Sequence, residues 1–579
     1  MTRGKLISGL CLGLIGFVYL TALMVAATET QVADAAMKGN REAVRSLIKQ
    51  AADVNAAQGD GMTALHWAAL NGDVEIAKML LYAGANLKAT TRLGAYTPLS
   101  MAAKAGSSAI VGEMLKAGAD PKIAGSNGLT PLMMAATSGD SDAVRMLLER
   151  GADPNAKESD RGQTALAFAA SFNRADAIRV LLKHGADANL PSNIVQPVAA
   201  PARGGQRGGI PTVGGGRGQG QNADQAAAAG AAAQAQFLQN LGEEGGKGGG
   251  NPKGRLTPLM YAARQGSFDA ATALVDGGAK LNALNGDNST ALFLAIINGK
   301  FDIARMLVER GADVSIATMD GGTPLYAVVN TQWARKSFQP QPSARYEKTT
   351  YLQLMNVLLD RGADPNARLG RELWFAEYNR DLQTVTTAGA TAFWKCADVG
   401  DIDGMRLLVS RGANPNLATT EGVTALLIAA GAGVHGNDDV TAPMGRLAAI
   451  KYLVEELHLD VNAADTGNGG RGQGVVGAAT EPQSAASGAT PPGTQQQQQP
   501  APRRENGGFT ALHNAAARGD NAMILYLVSK GARVDAVSKG GVTVADMANG
   551  PRQRIQPYPE TVALLEQLGS KNSHKCVSC

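Results

Sequence analysis

The chain has 579 residues, enough for several domains or one extended array. Charged residues make up only 18% and the net charge is +4, so there is no case for a nucleic-acid surface. Glycine alone counts 71, a density that suits closely packed short helices and tight turns as well as flexible linkers, and composition does not separate these.

Arg3 and Lys5 precede an apolar run from Leu6 to Ala27 that closes on the small residues Val25, Ala26 and Ala27. Residues 1–27 read as an export signal cleaved after Ala27. The run also reaches the roughly 20 residues needed to span a bilayer, so an uncleaved signal anchor is the competing reading. Cys11 lies inside the run, the wrong place for a lipid-modified cysteine. Both readings place the bulk of the chain outside the cytoplasmic membrane, either periplasmic or secreted, or anchored to the inner membrane with its repeats outside.

After this segment a unit of about 33 residues recurs. GMTALHWAALNGDVEIAKMLLYAGANLKA begins at Gly61, GLTPLMMAATSGDSDAVRMLLERGADPNA at Gly128, and GFTALHNAAARGDNAMILYLVSKGARVDA at Gly508. Units begin near Val32, Gly61, Gly94, Gly128, Gly162, Leu256, Ser289, Gly322, Gly389, Gly422, Gly508 and Gly541. Each predicts two short helices. Thr63, Thr130 and Thr164 are placed to cap the first helix. Pro98, Pro131, Pro258 and Pro324 follow, where a missing N–H costs nothing. Alanine pairs such as Ala68-Ala69 permit close helix approach, and leucine pairs such as Leu80-Leu81 supply the buried face. Gly84, Gly151, Gly311 and Gly412 end the second helix in a left-handed conformation. The Ala-Asp-x-Asn that follows leads into a finger. The first and last units depart from the pattern, as capping units do.

The T-P-L-H-x-A-A opening and L-L-x-x-G-A-D-x-N close resemble the ankyrin repeat. The resemblance implies an all-α solenoid of helix-turn-helix units with finger loops. Repeats are expected over 28–190, 255–466 and 508–570. Gly/Ala-rich residues 191–254 and Gly/Pro/Gln-rich residues 467–507 cannot bury enough apolar surface to fold alone and read as disordered insertions at finger tips. Closing a long loop costs little per added residue, so one continuous solenoid is expected. Shorter insertions are placed at 331–350, 371–388 and 434–445.

His66 and His513 occupy the histidine position of the opening, and the resemblance gives that imidazole the role of tying adjacent units together. Trp67, Met101, Met134, Phe168 and Tyr261 form a stripe expected to be core. Cys396 stands where an alanine belongs and reads as a small buried residue. No Gly-x-Ser-x-Gly, phosphate loop or His-Glu-x-x-His occurs, so neither a catalytic residue nor a metal site is assigned. Arg203, Arg207 and Arg217, and the tract Gln495 to Gln499, read as spacer. The resemblance implies a non-enzymatic scaffold, expected to be a monomer, that binds protein through its concave face and fingers. The matching positions are Arg92, Tyr96, Asn127, Arg161 and Gln163 on the fingers, and Lys104, Phe172 and Arg264 after the alanine pairs.

The last residues are SHKCVSC. Cys576 and Cys579 lack a second ligand pair for zinc and a following helix for a thioredoxin-type site. Covalent haem needs Cys-x-x-Cys-His, and no histidine follows Cys579. The tail resembles the Cys-Val-Ser-Cys-His segment of exported bacterial ankyrin-repeat proteins. The expectation is therefore no cofactor. The alternative is a redox or c-type cytochrome-like protein whose haem-attachment region starts here.

Overall fold

Threonine opens the units because four N–H groups at a helix start have no partner within the helix. The hydroxyl of Thr97 accepts from the Ser100 amide, Thr130 from Met133, Thr164 from Ala167 and Thr391 from Trp394. Pro98, Pro131, Pro258 and Pro324 each take the first helical position. Gly84, Gly151, Gly311 and Gly412 follow the second helices at φ between 81° and 95°.

A computed structural model describes residues 30–195, 253–333, 344–371, 385–433, 443–467, 507–549 and 557–573. In chain order an inner helix alternates with an outer one: α1 (Gln31–Met37), α2 (Arg41–Lys49), α3 (Ala64–Leu70), α4 (Val74–Tyr82), α5 (Pro98–Ala105), α6 (Ser108–Lys116), α7 (Pro131–Ser138), α8 (Ser141–Glu149), α9 (Ala165–Ser171) and α10 (Ala175–Lys183). After β1 (Ile194–Val195) and β2 (Lys253–Gly254) come α11 (Pro258–Gln265), α12 (Phe268–Asp276), α13 (Ala291–Ile297), α14 (Phe301–Glu309), α15 (Pro324–Gln332) and α16 (Tyr351–Asp360). Then follow α17 (Ala392–Val399), α18 (Ile402–Ser410), α19 (Ala425–Ala429), α20 (Gly445–Lys451), α21 (Ala511–Ala517), α22 (Asn521–Ser529), α23 (Val544–Ala548) and α24 (Pro559–Gln567). None of the described helices is long and apolar enough to cross a membrane. The described helices fall into two compact units. The first holds 30–195, 253–316 and 344–362, and the second the remainder from 317 onward.

In the first unit each inner helix packs on the next, from α1 through α3, α5, α7, α9 and α11 to α13. Alanine at the contact makes this possible: Ala68, Ala69, Ala102, Ala103, Ala135 and Ala136 are fully buried. The fingers are joined by a periodic backbone ladder. Arg92 N–H donates to the Asp60 carbonyl (2.7 Å), Ser126 to Gly94 (2.9 Å), Ser159 to Asn127 (2.9 Å), Asn193 to Arg161 (2.7 Å) and Gly286 to Gly254 (3.0 Å). Gly61 shows why the finger needs glycine. Its φ is +85°, and a Cβ there would sit 2.7 Å from the Arg92 amide nitrogen.

The stack continues across the stretch between residues 195 and 253. Ile194 pairs with Gly254 and Val195 with Lys253 in an antiparallel two-stranded pair, so the chain leaves and returns at one finger tip. On the helix side Asn173 stands at φ +57°, where other units carry glycine. Its Oδ1 accepts from the Ala270 amide (2.9 Å), which caps α12 from the preceding unit.

In the second unit α15, α17, α19, α21 and α23 stack in the same way. Across the stretch between residues 467 and 507, Ala464 bridges Thr510 and Gly508 N–H donates to the Asp465 carbonyl. Tyr526 Oη donates to Glu455 (3.0 Å), and Lys530 pairs with the same carboxylate. Tyr452–Glu456 forms a π-helical turn after α20. The Leu459 amide reaches back to Leu453, one residue further than the Ala85-to-Leu80 bond of an ordinary unit, so the turn absorbs a single inserted residue.

The described residues include parts of the insertions that the sequence places between and within the repeats. Residues 191–195 and 253–254, 331–333 and 344–350, 371 and 385–388, and 443–445 all carry defined structure. Backbone pairing at finger bases, helix ends and helix caps continues past the point where composition turns polar and glycine-rich. Residues 1–27, Arg203, Arg207, Arg217, the glutamine tract, His574, Cys576 and Cys579 lie outside the described residues.

Candidate interaction surface

The inner helix of each unit presents one edge toward its finger. Counting from the opening threonine, the residues on that edge are the fourth, seventh and eighth after it. In the first unit the fourth position carries Trp67, Met101, Met134, Phe168 and Tyr261. Met101, Met134, Phe168 and Tyr261 are 3–9% exposed, as a core stripe should be. Trp67 is half-buried, and its indole Nε1 donates to Gln58 Oε1 of its own finger (2.7 Å). The seventh and eighth positions remain open: Met37, Leu70 and Lys104 are exposed, and Thr137, Phe172 and Arg264 are half-buried. The Arg264 guanidinium lies 5.5 Å from the centre of the Tyr261 ring.

The finger residues divide. Arg92 is exposed and Arg161 half-buried, and their backbones belong to the ladder. Asn127 Nδ2 donates to Tyr96 Oη (3.4 Å), which brings two of the predicted positions together. The Tyr96 ring is wedged between Gly94 and Gly125: a Cβ on Gly125 would lie 2.7 Å from it. Tyr96 is thus a packing residue of the finger as well as part of its surface. Gln163 is corrected outright. It is 8% exposed and its amide donates to Glu158 Oε1 (2.8 Å), so it sits inside the finger turn and not on a contact surface.

Rigid joints hold this surface. Thr63 N–H donates to His66 Nδ1 (3.1 Å), which leaves the proton on Nε2 to reach the Tyr96 carbonyl of the next unit (3.0 Å). His513 makes the same pair, with Thr510 (3.2 Å) and with the Val542 carbonyl (3.3 Å). Burial holds both imidazoles below the usual histidine range, His513 at about 4. Trp394 stands at the same position of its unit, and its Nε1 donates to the Val423 carbonyl (2.9 Å). The indole does the work of the imidazole, an equivalence the residue type hides but the spacing from Thr391 marks.

Closing asparagines add a second joint. Asn155 Nδ2 donates to the Gly185 carbonyl (3.1 Å) while its Oδ1 accepts from Asp187 (2.8 Å). Asn366 bridges to Gly412 and Asn414, and Asn462 to Gly531 and Arg533. The sequence placed this asparagine at the start of a finger; it also clamps the next unit.

In the second unit the same inner-helix edge is buried on α15, α17 and α19, while Ala517 and Arg518 on α21 are half-buried. Lys395 and Asp398 are 7% and 1% exposed and joined at 2.8 Å. Arg446, 8% exposed, donates to the carbonyls of Ile428 (3.1 Å) and Ala429 (3.4 Å) at the end of the short helix α19. Cys396 is fully buried beside this group, and burial pushes its thiol well above its ordinary value. Among the described residues no cluster of His, Cys, Asp or Glu could hold a metal ion.

Paired short helices with hydrogen-bonded fingers define a helical repeat scaffold. The repeats are ankyrin repeats. The model "Ankyrin repeats (3 copies)" matches residues 99–192 and 225–318, "Ankyrin repeats (many copies)" matches 32–81, and "Ankyrin repeat" matches 507–539. The palmitoyltransferase Hip14 of Drosophila melanogaster is 36% identical over 85 residues, which is 15% of this chain and 13% of that protein. The crystal structure of the human ASB11 ankyrin repeat domain aligns at 24% identity and a TM-score of 0.35, covering 49% of this chain and 98% of that one.

Proposed function

We propose that the protein is a non-enzymatic scaffold that binds other proteins through the inner-helix edge and fingers of its ankyrin repeats, in an extracytoplasmic compartment. The observation that carries this is the open edge of the first unit, set on fingers joined amide to carbonyl from Asp60 to Gly286. A preorganised row of side chains loses little entropy when a partner docks. The compartment rests on residues 1–27: a basic start, an apolar run and a small-residue end. In-cell crosslinking of the native protein tests the reading. Partners should be captured and should be lost on joint substitution of Arg161 and Phe172 by alanine. Capture unchanged by that substitution overturns it. The intact mass of the native protein tests the compartment: loss of 1–27 supports export, and retention supports the anchor.

The C-terminal Cys-x-x-Cys supports a second reading, in which the scaffold carries a redox group. Ser573 is fixed to Asp546 Oδ1 through its amide (2.8 Å) and hydroxyl (2.9 Å), so the tail departs from an anchored point on the last repeat. Haem attachment would require a histidine after Cys579 in the native product. The same mass measurement tests this, since a haem increment requires it and an unmodified mass rejects it.

A further inference from the structure

The two units treat the same repeat position differently, and this difference assigns a partner chemistry. Seven and eight residues after the opening threonine, the second unit carries Asn330, Thr331, Asp398 and Val399, all 1–9% exposed, then buried Gly431 and Ala432, and only on α21 the half-buried Ala517 and Arg518. In the first unit none of these positions is buried: they are exposed on α1, α3 and α5 and half-buried on α7, α9, α11 and α13. Met37 and Leu70 are 40% and 36% exposed, and Lys38 and Lys104 are exposed. The cations of this edge are Lys38, Lys104 and Arg264. Its acid is Asp34, whose oxygens already take Gln58 Nε2 (2.5 Å) and Thr30 Oγ1 (3.2 Å). Leu70 and Phe172 lie between the cations, and Met37 and Ile297 flank them at the two ends of the row. The finger row adds exposed Arg92, Lys253 and Arg255 against Asp60 and Asp160.

We propose that recognition is a property of the first unit, and that its ligand is a protein segment in which carboxylates alternate with apolar side chains. The inference rests on the binding role proposed above and supplies the class of partner. Cations spaced one or more repeats apart with apolar side chains between them fit a ligand of the same alternation, and they repel a basic one. In the second unit the buried positions on α15, α17 and α19 interrupt the edge, and half-buried Arg518 is the one described cation at the seventh and eighth positions.

The test is a random peptide library displayed on phage and selected against the full chain, followed by fluorescence anisotropy of the enriched peptides. Enriched sequences should combine Asp or Glu with aliphatic or aromatic residues. Their affinity should fall at least tenfold in Lys104→Glu/Arg264→Glu and should weaken with added salt. Lys183→Glu, the same charge reversal on the outer helix α10, should change affinity less than twofold. Should the double variant fail to fold by circular dichroism, Lys38→Glu and Lys104→Glu singly carry the test. Enrichment of basic or uncharged peptides, affinity indifferent to the reversals, or no enrichment at all each overturns the proposal. Crosslinked native partners lost on the Arg161/Phe172 substitution but unaffected by Lys104→Glu would keep the scaffold reading and sink this one.

Discussion

Single nitrogen atoms carry the joints between repeats. Trp394 is fully buried, and its Nε1 is the donor that reaches the next unit's Val423 carbonyl. Trp394→Phe keeps most of the ring and leaves that carbonyl short of a donor. The expected loss is about 1–3 kcal/mol, read as a shift in urea midpoint. His513 makes the equivalent bond in a site that holds its pKa at about 4, against 6.5 when unfolded. Because the folded pKa is the lower one, the unfolded chain binds the extra proton. The stability that neutral His513 contributes is therefore present above pH 6.5 and lost as pH falls through 4, by an amount on the order of 3 kcal/mol. His66 is shifted in the same direction and adds to the effect. Urea melts of the wild type and His513→Gln from pH 7.5 to 4 check this: the difference between them should shrink toward acid. A constant difference would show that the imidazole does not titrate on unfolding.

At the scale of the element, stability follows from how each unit clamps the next. The asparagine that bridges units at Asn155, Asn366 and Asn462 is replaced by lysine at Lys88 and Lys122. Lys122 runs alongside Gly151, where an asparagine would find a carbonyl and an amide. Lys122→Asn should therefore stabilise the chain by about 1 kcal/mol, the net worth of a recovered hydrogen bond. A rise in the thermal midpoint checks it, and no change would mean that the turn at Asp120 holds the side chain elsewhere. The buried group in the second unit follows different logic. Helix α19 ends after five residues, and Arg446 takes two of its terminal carbonyls. Lys395→Met would take the nearer cation from the Asp398 carboxylate and leave it Arg446 at 3.9 Å, and removing one partner of a buried pair costs roughly 3–5 kcal/mol. Chemical denaturation should show a loss of that size.

Across the whole molecule the repeat architecture makes stability approximately a sum over neighbouring units. A long stretch between two units is then tolerable wherever both neighbours still meet. Ile194 and Val195 pair with Gly254 and Lys253, so deleting 196–252 and joining the strands with Asn-Gly makes a two-residue hairpin. The deletion variant should keep its helical circular dichroism and melt within a few degrees of the parent. A large loss of helicity would show that the stretch contributes to folding.

Much of this was legible in the chain itself. The period, the capping threonines, the first-turn prolines and the left-handed glycines are local rules. Each is satisfied by neighbours within a few residues, so residue type and spacing decide it. Gln163 and Tyr96 were only half read because residue type does not show how a finger folds on itself or on its neighbour. Gln163 is turned inward by its bonds to Glu158 of the same finger, and Tyr96 is wedged against Gly125 of the next. Equivalent spacing also hid opposite outcomes: Lys104 is open and Asp398 closed at the same place in their repeats. The sequence alone determined the repeat and its helices, because helix capping and apolar periodicity are short-range. Only the tertiary structure decided which edge faces solvent, which nitrogen meets which carbonyl and where the stack crosses its long stretches. Those properties belong to pairs of residues about thirty or more positions apart, and burial and hydrogen bonding settle them only once the units are stacked.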